Sequence, residues 1–237
     1  MSIRTQYRRR AAAGQTQPVF RYPWNDRFFD QWSDEMAWLL GLIWSDGCLM
    51  RDSHGVEVCS KDPDLIEIVE GLIEQPGGMR PKNRGRHWRI NFSSQHAADR
   101  LRGMGLVPAK SHIIGWPQGL PREFEGAFMR GLIDGDGSVL LHESRSGQRV
   151  PDLEVSLYSA SPTLTEAAME WTRRAGLNSH VRQNGAVLKI TIREQRSLRQ
   201  LHPLLYPNTD VCCLVRKRVA YEFWLATPRV RAGRPAR

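Results

Sequence analysis

The chain has 237 residues, 41% of them hydrophobic and 25% charged, enough to bury one large core or two small ones. Its 34 basic residues outnumber 25 acids for a net +9, carried mostly by arginine, and so suit a polyanionic partner. No stretch approaches the roughly 18 apolar residues of a membrane span, and Cys48, Cys59, Cys212 and Cys213 lack zinc-ligand spacing.

In chain order, residues 1–23 read as a basic flexible arm with Arg4, Arg8, Arg9, Arg10 and Arg21 and no acid up to Tyr22. A first unit spans 24–114. Its first helix, EMAWLLGLIWSDG, stops at Gly47, and a strand pair follows in CLMR and VEVCS. Asp62-Pro63 opens a second helix, a cap followed by proline at the first helical position. A second hairpin turns at NRGR, and a closing helix ends the unit. The Gly- and Pro-rich segment 115–122 links it to a second unit, 123–226, and 227–237 is a basic tail.

The second unit repeats the first. EGAFMRGLIDGDGSV aligns with EMAWLLGLIWSDGCL at an offset of 90, pairing Gly131 with Gly41 and Asp136-Gly137 with Asp46-Gly47. SASPTL aligns with SKDPDL at an offset of 99, and KITI with RINF at 100. The change in offset places an insertion at residues 143–152, a longer hairpin loop. Each unit reads as helix, two strands, helix, two strands, helix.

Within each first helix, small residues fall four apart: Ala37, Gly41, Ser45 and Ala127, Gly131, Gly135. Two such stripes facing one another let the helix backbones approach closely and bring Asp46 and Asp136 together at the helix C-termini. That is the wrong end of the dipole for an acid, and a divalent cation would compensate. Oxygen donors favour Mg²⁺, with Mn²⁺ able to substitute. Without a cation, at least one acid is expected to have a raised pKa.

LLGLIWSDG and MRGLIDGDG resemble the two signature motifs of the LAGLIDADG homing endonucleases, in the monomeric two-motif class, and the likeness covers about 200 residues. The resemblance implies an α+β fold of two pseudo-symmetric halves, each α-β-β-α-β-β-α, packed through the motif helices beneath saddle-shaped antiparallel sheets. It implies a monomeric endodeoxyribonuclease making a staggered double-strand break at a long, nearly asymmetric target in double-stranded DNA. Asp46 and Asp136 would be catalytic and bind metal, with Ser45 and Gly135 beside them as metal-site residues. Lys61 and Lys110 are the catalytic lysine candidates, Lys217 a further one. Lys110 aligns with Asp210 in the second copy. Asp134 faces Trp44 in the alignment, so it is expected to be no required ligand and to cap or face solvent. The alternative is an RNA maturase or a non-cleaving DNA-binding regulator of the same fold. The chain is expected to be freestanding or intron-encoded, and cytoplasmic and DNA-associated, with an organelle as the other location.

Strand alternation puts Trp88, Ile90 and Phe92 on the core side and His87, Arg89 and Asn91 on the outer side. Residues 80–92 hold five basic groups and no acid, whereas the second helix is acidic. Arg80, Lys82, Arg86, Arg89 and Asn91, with His180, Arg182, Lys189 and Thr191, are therefore the expected DNA-binding residues. Met50, Asp52, Glu57, His142 and Ser156 are secondary candidates.

Overall fold

The computed structural model describes residues 23–51, 54–143 and 151–227. The expected arm up to Tyr22, the tail beyond Thr227, Asp52 and most of the insertion loop lie outside the described residues. The first half runs α1 (Asp34–Asp46), β1 (Gly47–Leu49), β2 (Gly55–Ser60), α2 (Pro63–Leu72), β3 (Arg80–Lys82), β4 (His87–Ser93) and α3 (Gln95–Gly103). The second runs α4 (Glu125–Asp136), β5 (Gly137–His142), β6 (Asp152–Ser159), α5 (Pro162–Arg174), β7 (Ser179–Asn184), β8 (Val187–Ile192), α6 (Gln195–Leu205) and α7 (Val215–Ala226).

Local sequence explains where these elements begin and turn. Ser33 caps α1 by accepting from the Met36 amide at 3.1 Å, and Asp34 and Glu35 face the positive end of the dipole. Pro63 and Pro162 occupy first-turn positions of α2 and α5. The β3–β4 turn passes through left-handed Asn83, Arg84 and Gly85, and β7–β8 turns at left-handed Gly185.

Two four-stranded antiparallel sheets result, ordered β1-β2-β4-β3 and β5-β6-β8-β7. Val58 pairs with Ile90 and Leu157 with Ile190, so the two sheets share one register plan. Val56, Val58, Ile90 and Phe92 bury one face of the first sheet; Val155, Leu157, Ile190 and Ile192 do the same in the second. Helix α1 is buried continuously from Met36 to Trp44, which is the mark of a helix lying between two layers. The halves differ in one element. Helix α7 follows the closing helix α6, whereas the first half has only a loop and a short 3₁₀ turn at Lys110–His112.

Candidate active site

The small-residue stripes meet as their spacing implies. A Cβ on Gly41 would collide with the carbonyl oxygen of Phe128 and lie 3.0 Å from Gly131 Cα. One on Gly131 would collide with the carbonyl oxygen of Trp38, and one on Gly135 with the Ser45 hydroxyl. Backbone touches backbone along the seam, so glycine is required there by space rather than by dihedral freedom.

Around this contact the seam departs from symmetry. At one crossing, Trp44 and Phe128 pack edge to face, with centroids 6.3 Å apart. At the equivalent crossing, Trp38 Nε1 donates to Asp134 Oδ2 at 2.9 Å, and the Leu214 amide donates to the same oxygen at 3.0 Å. Asp134 is buried, with its carboxyl pKa raised by burial, so the expectation that it caps or faces solvent is corrected. The aligned tryptophan conceals this, because its indole instead donates to Gly115 O at 2.9 Å. Arg130 is fully buried as well. Its guanidinium donates to Cys212 O at 2.8 Å, to Leu205 O at 2.6 Å, and to Asp34 at the start of the other half's helix.

Both motif helices end at the acids. Asp46 is half-buried; Asp136 reaches solvent from the floor of a concavity. Burial and then the negative charge of Asp136 push the Asp46 carboxyl up to about 6, against the pull of Lys217 and Lys110. Burial within the concavity also raises Asp136, again opposed by Lys110 and Lys217. The two acids sense one another and share two ammonium groups. Beside Asp136 lies a cavity of about 230 Å³, lined by Ser45, Lys110, Ser159 and the apolar Trp44, Leu132 and Leu157 among others.

The lysines differ in kind. Lys110 Nζ donates to Ser45 O at 2.7 Å; burial lowers its pKa, against the attraction of Asp136 and Asp46. Lys217, only 3% exposed, donates to Ile133 O at 2.5 Å, Asp134 O at 2.9 Å and Gly137 O at 2.8 Å. Burial takes its pKa down to about 8, partly offset by Asp134. Each ammonium therefore sits at the negative end of a motif helix. The alignment of Lys110 with Asp210 is corrected: Asp210 is exposed in the loop before α7, and Lys217 supplies the second cation. Lys61 stands exposed on the turn between β2 and α2, outside the charges that act most on Asp46.

Two carboxylates and nearby backbone carbonyls form an oxygen donor set for a hard cation with several positions left to water and phosphate. Ser45 O accepts from Lys110, which leaves its second lone pair. Among the described residues no group of three His, Cys, Asp or Glu gathers into a self-sufficient metal cage. The residues fit a Mg²⁺-type ion that is shared with a substrate and do not fit a zinc-type structural site.

Residues 123–205 match the family of LAGLIDADG-like domains. No curated protein matches the chain. Among solved structures, it is similar to the K262A mutant of I-SmaMI, with 12% identity, a TM-score of 0.57, and coverage of 80% of this chain and 89% of that one. It is also similar to the homing endonuclease I-WcaI bound to its DNA recognition sequence, at 14% identity, TM-score 0.56, and 82% and 90% coverage. A third is I-DmoI in complex with DNA and Mn, at 15% identity, TM-score 0.51, and 78% and 100% coverage. At these identities the likeness establishes the fold, so the whole chain has the two-half LAGLIDADG architecture.

The LAGLIDADG sheets place the expected DNA-binding residues unevenly. Arg86 is exposed in the β3–β4 turn, Asn91 on the first sheet, and His180 and Arg182 on the second; Thr191 is half-buried. Arg80 instead folds back onto Gly77 O and onto Met79 O, the latter at 2.7 Å. Lys82 and Arg89 both bind Glu57, and Lys189 binds Glu154. The cations of the acid-free stretch 80–92 are therefore not all free, because acids reach them from another strand of the sheet. Glu57 sits opposite Asn91 in register, far from it in sequence.

Proposed function

We propose that the chain is a site-specific DNA endonuclease that makes a staggered double-strand break at a long, nearly asymmetric site by Mg²⁺-dependent phosphodiester hydrolysis. The observation that carries this reading is the pair of acids at the end of a backbone-tight helix seam, each within reach of a buried lysine. Asp46 and Asp136, with the carbonyls of Ser45 and Gly135, would hold Mg²⁺, and Mn²⁺ would serve in its place. Bound there, the metal supplies positive charge that neutralises the phosphate and favours ionisation of water.

This chain's own groups orient and neutralise. Lys110 uses one of its three N–H bonds on Ser45 O, so the others are available to a phosphate oxygen as charge builds. Lys217 directs three bonds at backbone carbonyls and fixes the end of α4 beneath Asp136. Trp44, Leu132 and Leu157 line the cavity beside Asp136 and limit water there. The exposed cations of both sheets would bind the duplex on either side, over about two helical turns.

Asp46→Asn and Asp136→Asn should each abolish double-strand cleavage of a site selected from a randomised DNA library while leaving binding intact. Full cleavage by both variants would sink the mechanism. Tight, selective binding without any cleavage by the wild type in Mg²⁺ would instead identify a non-cleaving regulator.

A further inference from the structure

The outer face of each sheet is built around a carboxylate. On the first, Glu57 receives Lys82 Nζ at 2.5 Å and Arg89 Nη1 at 3.0 Å. On the second, Glu154 receives Lys189 Nζ at 2.6 Å, Ser156 Oγ at 2.8 Å and Arg193 Nε at 3.0 Å. The Glu57 and Glu154 side chains are 14% and 6% exposed, while Arg89 and Arg193 keep 38% and 51%. The acids thus lie beneath and the cations above. Around Glu154, His180, Arg182 and Thr191 complete a small pocket of about 160 Å³.

This arrangement suits a base edge better than a phosphate. Phosphate oxygens only accept hydrogen bonds, and a carboxylate behind the cations repels them. It also removes rotamer freedom that a long cation would need to follow a backbone. Guanine presents two acceptors, O6 and N7, at fixed spacing in the major groove, which a cation held in one pose can discriminate. Burial pushes the Glu57 carboxyl up, yet Lys82 and Arg89 hold it below its ordinary value, so the clamp persists at neutral pH. The same balance holds for Glu154 with Lys189 and Ser156.

Resting on the DNA-binding reading above, we propose that Glu57 and Glu154 are positioning residues. They hold Lys82 with Arg89, and Lys189 with Arg193, as readers of guanine at one window in each half-site rather than as phosphate contacts.

The test uses the full chain without divalent metal and reads binding alone. Sites are selected from a randomised DNA duplex library, then bound by wild type, Glu57→Gln and Glu154→Gln over a range of salt. Wild type should prefer guanine at one window on each side of the centre. Each variant should lose about tenfold of that discrimination at its own window only. Non-selective binding should tighten, with the salt slope steeper by about one for each cation released to a phosphate. Unchanged discrimination, or loss spread evenly over the site, would overturn the proposal. Should Glu154→Gln fail to fold, Lys189→Ala and Arg193→Ala address the same window: local loss of guanine preference supports it, and uniform weakening overturns it. A wild type that binds no DNA selectively would remove the DNA-binding reading itself, before any variant is compared.

Discussion

The two halves are alike where backbones touch and unlike where charges are buried. Gly41 and Gly131 each abut the opposite helix, and Asp46 and Asp136 each end one. The lysines beside them are not equivalent: Lys110 makes one carbonyl bond at its helix end, Lys217 makes three. The two halves share geometry and differ in where their polar groups are placed. A position can therefore be equivalent in space without being equivalent in task.

The largest expected effects test the shared part. Gly41→Ala and Gly131→Ala should each lower stability by about 3 kcal/mol, because the obstructing atoms are backbone and cannot swing aside. Chemical denaturation would check this, and a tolerated substitution on one side only would break the symmetry. Next come the lysines. Lys217→Met should cost about 2 kcal/mol of stability by leaving three carbonyls without their donor. Lys110→Met should cost less than about 1 kcal/mol but slow cleavage roughly 100-fold, the scale of losing one transition-state donor. Equal stability losses would erase the distinction drawn between them.

The last effect concerns pH. Asp46 has a folded pKa of about 6 against 3.8 ordinarily, so folding favours its protonated form. The stability this contributes is complete below pH 3.8 and is lost as pH rises through about 6. Metal-free Asp46→Asn should therefore be more stable than wild type at pH 7.5, by on the order of 2 kcal/mol, and little changed at pH 4. Thermal melts across that range, with and without Mg²⁺, would measure it. Asp136→Asn should act in the same direction and more weakly, since Asp136 is the more exposed acid.

What could be read from the sequence was periodic or repeated. Spacing of four exposed the seam, the offset of 90 exposed the paired acids, and alternation in RHWRINF separated Ile90 and Phe92 from Asn91. The remaining features depend on partners distant in the chain. Asp134 meets Trp38 across 96 residues, and Lys217 reaches Ile133 across 84. No local pattern encodes such a pairing. The alignment did contain one hint. Positions 44 and 134 hold Trp and Asp while 38 and 128 hold Trp and Phe, so an indole able to serve Asp134 across the seam was already in view. The pairing of Glu57 was missed because residues 80–92 were read as one strip, although β2 pairs with β4 and brings Glu57 to Arg89 on β4 and Lys82 on β3.

The salt link from Arg130 to Asp34, with the indole of Trp38 on Asp134, gives the interface a polarity. If the C-terminal unit paired with a copy of itself, Arg130 would meet Phe124 where Asp34 stood, and Asp134 would meet Phe128 in place of Trp38. Neither phenyl ring can replace the lost bond, so Arg130 would be left with Cys212 O and Leu205 O, and Asp134 with the Leu214 amide, each short of one partner while buried. Self-association of that unit is thereby selected against. The seam therefore fits the second half to the first better than to a copy of itself.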